Sequence, residues 1–394
     1  MPRARVSIRG PAAFLVAAGT LLSSSVPTIA AVTVRDVGRA LGLPSKTRSW
    51  DVDVGRLNRD PVPDLVISYH GAVEFFRTTR SGIQRIFART PGDAHGCAVA
   101  DVNRDGLGDV YCTRGAHRGT ITKGNRLWIQ TSPGIFQDRA GRFGVEDPLG
   151  RGRHTTFVAI NQDRRPDLFI GNGSRRRDGR RTPNRTFVNV AGSWFDEVFV
   201  GLTDERDALC AQAVDQNRDG RQDLLVCSRR LLLYRNRPAG FLEVARRLGV
   251  GSRGLKHARL ARLNPDRRPD LIVVRERMLS VRRGTRRGSF GKVTYSRRLT
   301  KGRWVAVGDI DGRRGRDLLV VQSCTDGTNV PDVLLLHRRT SWGFRRVGLP
   351  QPRRGCGDVA ASLDLNANGR DEFVVLNGWR RSRGPVQVLT TRWG

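Results

Sequence analysis

One segment recurs seven times along this chain, and no other feature limits the fold as tightly. In it, acidic and amide residues alternate, a glycine or proline follows, and a β-branched run begins. It reads DVNRDGLGDVYC from Asp101, DQNRDGRQDLLVC from Asp215, DIDGRRGRDLLVV from Asp309 and DLNANGRDEFVVL from Asp364. Three weaker copies are RLNRDPVPDLVIS from Arg56, AINQDRRPDLFIG from Ala159 and RLNPDRRPDLIVV from Arg262. The ninth position falls at Asp64, Asp109, Asp167, Asp223, Asp270, Asp317 and Glu372, in steps of 45, 58, 56, 47, 47 and 55 residues.

That spacing is the length of a four-stranded propeller blade. Amphipathic stretches of helical length are absent, so the expected fold class is all-β, a seven-bladed β-propeller over residues 31–394. The termini supply an internal check. The last repeat ends at VQVLTTRWG, where other blades would begin a fourth strand, while VRDVGRALGL (Val34 to Leu43) aligns with FQDRAGRFGV (Phe136 to Val145) and FLEVARRLGV (Phe241 to Val250). The N-terminal segment is therefore expected to supply the outer strand of the seventh blade and close the ring.

On these repeats the chain resembles the FG-GAP or VCBS family, whose best-known relatives are the propellers at the N-terminus of integrin alpha chains. The resemblance covers nearly all of residues 31–394. It implies a fold used for adhesion, sugar binding and scaffolding, and so does not itself select a ligand.

Calcium takes six to eight oxygens, and a loop presenting carboxylates or amides at alternate positions can wrap one, with glycine allowing the tight turn. Positions one, three, five and nine carry the full set in three repeats: Asp101, Asn103, Asp105 and Asp109; Asp215, Asn217, Asp219 and Asp223; Asp364, Asn366, Asn368 and Glu372. These are the expected structural calcium sites. The sixth repeat offers Asp309, Asp311 and Asp317 but has Arg313 at position five. Repeats one, three and five begin with Arg56, Ala159 and Arg262, so no metal is expected there; in repeats one and five a guanidinium can neutralise the loop acids instead.

Residues facing each other across an antiparallel hairpin have a constant sum of positions. By that test Cys97 pairs with Cys112 and Cys210 with Cys227, each bridging the first two strands of its own blade, but one ladder step apart and hence on opposite sheet faces. Cys324 and Cys356 remain, and by position they should link blades six and seven.

Disulfides suit an exported chain, and the first residues agree. Arg3, Arg5 and Arg9 precede an apolar run from Ala12 to Leu22 and the small-residue stretch Thr28, Ile29 and Ala30, the layout of a cleavable secretory signal over residues 1–30. An extracellular or cell-surface location is expected, with no membrane anchor after cleavage.

The formal net charge is +33, and of 70 basic residues only Lys46, Lys123, Lys256, Lys292 and Lys301 are lysine. Arginine is scattered along the whole chain, a skew that fits compositional bias, yet it must attract anionic polymers at low salt. The densest cluster is Arg175, Arg176, Arg177, Arg180 and Arg181 in blade three, with Trp379, Arg380, Arg381 and Arg383 in blade seven. Both lie on the face opposite the calcium loops, which is the face that meets ligands in the integrin relatives. His95, His154 and His257 precede the first strands of blades two, three and five at similar offsets and are expected around the channel mouth; those blades are not all neighbours, which argues against one metal site shared by the three.

The expected function is a monomeric binding or scaffold module for an anionic polysaccharide, cell-wall polymer or surface protein. No Ser/His/Asp order, isolated carboxylate pair or phosphate-binding loop stands out, so no enzyme is expected. The alternative is a calcium-dependent enzyme of polysaccharide-lyase type acting on acidic glycans. Nucleic acid is not an expected partner, since the chain has few aromatics to stack on bases and carries an export signal.

Overall fold

The computed structural model describes residues 32–393 apart from 80–81, 91, 116, 118–119, 174, 203–204, 251–252, 314, 326, 339–341, 353–354 and 379–381. The expected signal segment lies outside the described residues, as do Trp379, Arg380 and Arg381. Seven antiparallel four-stranded sheets follow one another around an axis as the blades of a seven-bladed β-propeller. Helix is nearly absent: one single turn, Ala140–Phe143, is described from end to end. No described helix is long and apolar enough to cross a membrane.

The innermost strands are Ser49–Gly55, Ala94–Ala100, Gly152–Val158, Cys210–Val214, Leu255–Ala261, Gly302–Gly308 and Val359–Leu363. The second strand of every blade begins on the ninth-position acid of its repeat, as in Asp64–Tyr69, Asp109–Arg114 and Glu372–Leu376. Each motif is thus the loop joining the first two strands, and all seven loops stand at one end of the ring.

The second strands are buried on both faces, which is why they read as unbroken apolar runs rather than alternating ones. Their two faces feed different interfaces. Val110 and Cys112 pack toward blade one with Val66, Phe75 and Trp128, whereas Tyr111 packs toward blade three with Leu168 and Ile170. The core consequently consists of seven apolar wedges, one per pair of adjacent blades.

The ring closes as the repeats imply. Val32–Asp36 pairs antiparallel with Val386–Trp393, from Val32 opposite Trp393 to Asp36 opposite Leu389. Asp36 locks the junction: it accepts from Gly38 N and Val388 N through Oδ1 and from Gln387 Nε2 through Oδ2. The segment that follows turns through Gly42 at φ 76°, and its counterparts turn through Gly144 at 73° and Gly249 at 64°. This left-handed turn is the reason the three aligned segments share a glycine.

All three disulfides are formed: Cys97–Cys112, Cys210–Cys227 and Cys324–Cys356. The first two join directly paired residues. They lie on opposite sheet faces, Cys112 toward blade one and Cys227 toward blade five.

Val32 and Val34 fill the wedge between blades six and seven, and Leu43 that between seven and one. Deleting residues 32–43 is therefore expected to expose one sheet edge and two apolar wedges, giving aggregated or insoluble protein. A soluble monomeric deletion variant with an unchanged thermal midpoint, read by size exclusion and melting, would show that the segment is a dispensable tail.

Candidate functional site

Three places gather polar chemistry: the motif loops at one end of the ring, the axial channel, and the loops at the opposite end. In the motif loops with a full ligand set, short-range hydrogen bonds curl the chain around its own acids. Asp101 accepts from Asp105 N through Oδ1 (3.0 Å) and from Gly106 N through Oδ2 (2.9 Å), and Asn103 Nδ2 donates to Asp105 Oδ2 (2.9 Å). The pattern repeats with Asp215, Asn217, Asp219 and Gly220, and again with Asp364, Asn368 and Gly369. These bonds tie positions one and five together in each loop, and the residues at positions one, three and five carry carboxylate and amide oxygens, the donor class a hard cation takes.

Among the described residues, the sixth repeat brings three carboxylates together despite Arg313. One oxygen from each of Asp309, Asp311 and Asp317 lies within 4.8 Å of the others. The side chain at position five does not decide the curl, because Arg313 donates its backbone N–H to Asp309 and Asp311, both at 3.0 Å. Burial and the neighbouring Asp311 push Asp317 up to about 8, and a divalent cation would relieve that repulsion. Donor chemistry and spacing fit calcium here as well.

The ninth-position acid carries a duty not read from sequence. Asp109 accepts Val102 N at 2.9 Å from its own loop and Gln130 N at 2.8 Å from the third strand. Asp64, Asp167, Asp223, Asp270 and Asp317 each accept the equivalent pair of backbone donors. Glu372 accepts Leu365 N at 2.9 Å. In blades two to four the third-strand residue is an amide whose side chain reaches the preceding blade. Gln130 donates to Leu57 O (2.6 Å), Asn189 to Val102 O (2.9 Å) and Asn236 to Ala159 O (3.1 Å). An amide in an otherwise apolar third strand, three or four residues before a turn glycine, is the sequence signal for this staple.

Neutralisation of the loops in which no metal is expected differs in detail from the expectation. In repeat five the guanidiniums beside Asp266 belong to Arg283 (3.2 Å) and Arg268 (3.9 Å), not to Arg262. In repeat one Asn58 and Asp60 cap backbone N–H groups of their own loop, and Arg59 reaches across to Asp105 O in blade two.

The axial channel encloses about 380 Å³ and is lined by the first strands of all seven blades. Its wall holds Asp51 and Asp53 from blade one, His154 from blade three, His257 and Arg259 from blade five and Trp304 from blade six. His257 stacks on Trp304 at 3.6 Å, and His154 Nε2 stands 3.6 Å from Asp51 Oδ2. His95 is set apart from these two: it is buried, stacks on Trp50 at 3.8 Å and faces Asp93. The three histidines therefore share no site. Burial drives the channel groups toward neutrality, raising Asp51 to about 7 and Asp53 to about 6 and lowering His154 to about 4.

On the opposite face the arginine-rich loop of blade three is folded back as a hairpin, with Arg175 bridged to Arg181. Arg176, expected on the anion-binding surface, is buried instead, and its guanidinium donates to Ile121 O (3.0 Å) and Leu149 O (3.2 Å). Arg181 pairs with Glu205, while Arg175, Arg177 and Arg180 remain exposed. Beyond Glu205 opens a cleft of about 1010 Å³ between blades four and five, walled by segments 205–207, 228–230, 253–256 and 275–277. Arg229, Arg230, Arg253, Lys256, Arg275 and Arg277 line it. Its Glu276 is already held by Lys301 at 2.6 Å and Lys256 at 3.3 Å. Sequence reading missed this cleft because its cations come in ones and twos from four separate loops.

No family model matches the chain, and no curated protein matches it. Solved structures do share the fold. One is an Agrocybe aegerita lectin that recognises non-reducing terminal N-acetylglucosamine, with TM-score 0.51 and 13% identity over 77% of this chain and 79% of that one. Another is BBS1N in complex with ARL6DN, with TM-score 0.50 and 11% identity over 91% of this chain and 95% of that one. At such identities the likeness is one of architecture.

The channel acids make stability depend on pH. Asp51 titrates near 7 when folded and at its ordinary 3.8 when unfolded, because burial and the nearby Asp358 disfavour its charge. Between those values the folded state holds the extra proton, so stability falls as pH rises from about 4 to about 7. Asp51→Asn is expected to flatten that slope and to gain on the order of 1–2 kcal/mol at pH 8 in denaturant titrations. An unchanged slope would mean that water solvates the channel acids.

Proposed function

We propose that this chain is an exported, calcium-braced propeller of FG-GAP/VCBS type that binds an anionic polymer through the face opposite its motif loops. It works as a binding module, not as an enzyme. The reading rests on one observation above all, the cationic cleft between blades four and five. There Arg229, Arg230 and Arg277 are exposed, and two of the three lining acids are already paired, Glu276 with Lys301 and Lys256 and Glu205 with Arg181. Guanidinium groups fork onto carboxylate, sulfate or phosphate, so a polymer repeating such groups can engage several at once. Exposed Arg175, Arg177 and Arg180 extend the basic surface beyond the Arg181–Glu205 pair. Acidic polysaccharide and cell-wall polymer fit this surface, and a surface protein would need a matching acidic patch. The shared fold of a lectin and of a protein-complex component is compatible with either class of ligand. Three intramolecular disulfides favour an extracellular setting.

In this reading calcium holds the motif loops and lies far from the ligand. Chelator should lower the thermal midpoint and calcium restore it, each site adding roughly 2.7 kcal/mol at a hundredfold excess over its dissociation constant. Replacing Asp105 and Asp219 with alanine should shrink the response, and a midpoint indifferent to chelator overturns the assignment.

A net charge of +33 attracts any polyanion, so binding alone proves nothing. Three variants of equal charge separate the cases: Arg229, Arg230 and Arg277 to serine; Arg175, Arg177 and Arg180 to serine; and three scattered arginines to serine. At physiological salt the cleft variant should lose at least about tenfold in affinity for acidic polysaccharide and the scattered control no more than about threefold. Equal losses would mean that the attraction is diffuse. Release of unsaturated sugar ends during the same incubations would favour the lyase reading instead.

A further inference from the structure

At the channel rim, on the face that carries the cationic cleft, the turn after the second strand of blade one presents His70. Asp93 stands just before the first strand of blade two and His95 within it; like His154 and His257, His95 lies inside the first strand of its blade and not ahead of it as the sequence suggested. Both imidazoles aim a nitrogen at the same carboxylate oxygen: His70 Nδ1 is 3.7 Å and His95 Nε2 3.3 Å from Asp93 Oδ1. All three ligand atoms lie within 4.8 Å of one another. The first distance is too long for a hydrogen bond and the second is at its limit. Donors held about 2.0–2.2 Å from one ion in tetrahedral array stand roughly 3.3–3.5 Å apart, close to the 3.7 and 3.3 Å by which the two imidazole nitrogens stand from Asp93 Oδ1.

We propose that His70, Asp93 and His95 form a binding site for a first-row transition-metal ion such as zinc, with the remaining coordination position open to solvent beside His70. The inference is independent of the anion-binding reading and of the calcium loops at the other end of the ring. Two imidazoles and one carboxylate suit zinc, cobalt, nickel or copper; calcium requires more oxygens than this site offers.

The surroundings fix the ligands in place. His95 Nδ1 lies 2.7 Å from Gly152 O, and donating there leaves the Nε2 lone pair facing Asp93, the usual outer-shell support of a ligating histidine. Trp50 stacks flat on His95 at 3.8 Å and meets His70 edge-on at 4.7 Å. His117 N donates to Asp93 Oδ2 at 2.6 Å, which turns Oδ1 toward the imidazoles. An opposing charge comes from Arg153, whose guanidinium is 2.9 Å from His95 Nδ1, on the far side of the ring from Nε2. If Arg153 donates to Nδ1, the proton moves to Nε2 and the group becomes a histidine–aspartate pair that binds no metal. The two tautomers make opposite predictions.

The test uses the chain without a histidine tag, stripped with chelator and then held in excess calcium to saturate the motif loops. Zinc is titrated calorimetrically, and cobalt uptake is followed by its visible absorption. One equivalent should bind to the wild type, with affinity reduced at least about tenfold in His70→Ala and in Asp93→Asn. His70 is 32% exposed, so His70→Ala should keep the wild-type midpoint in the absence of zinc. Wild type that takes up no zinc in excess calcium, or a folded His70→Ala variant that takes it up as the wild type does, overturns the proposal.

Discussion

In each of the first six blades one carboxylate, at the first residue of the second strand, accepts a backbone N–H from the motif loop and another from the third strand. A propeller blade is a twisted sheet whose loops would otherwise be held only by their ends. The carboxylate ties the loop to the middle of the sheet and satisfies two donors that burial cuts off from water. Hydrogen bonds to a charged acceptor contribute about 1.5–3 kcal/mol each, and an orphaned donor costs about 1–3 kcal/mol, so each brace matters on the scale of a domain's net stability. Position nine is therefore acidic in repeats one, three and five, where position one offers a metal nothing.

From this brace follow both the regularity of the ring and the route by which blades communicate. The third-strand residue that donates its N–H to the brace in blades two to four also sends its side-chain amide to the preceding motif loop. One residue thus fixes a loop within its blade and the register between blades. The apolar wedges supply most of the burial, but they are non-directional, and these polar ties set how far each blade is rotated about its neighbour.

Much of this was legible because the repeat is periodic. Spacing yields seven blades, alignment of the N-terminal segment with two later ones yields ring closure, register yields Cys97–Cys112 and Cys210–Cys227, and position with elimination yields the third disulfide. What was not legible depends on atoms brought together from different repeats. The cleft between blades four and five draws on four loops, and the His70, Asp93 and His95 group spans two blades with no shared motif. Arg176 shows the converse limit: five arginines within seven residues read as one exposed cluster, but hairpin folding turned one of them inward to cap two carbonyls. The sixth motif loop looked incomplete because side chains were counted, whereas the backbone N–H of Arg313 curls it regardless.

The brace also bears on the charge that meets a ligand. A formal value of +33 counts every acid as a full surface charge. Yet Asp64, Asp109, Asp167, Asp223, Asp270 and Asp317 have no exposed surface, and Glu372 is only 4% exposed. With no cation bound, burial pushes them up to between about 6 and about 8. Whatever charge they keep is held by backbone donors at the motif end of the ring. The far face, with its cleft, lies at the other end of the ring from these seven acids. Arginine excess becomes a directional field because the acids that would offset it are those the fold consumes to hold itself together.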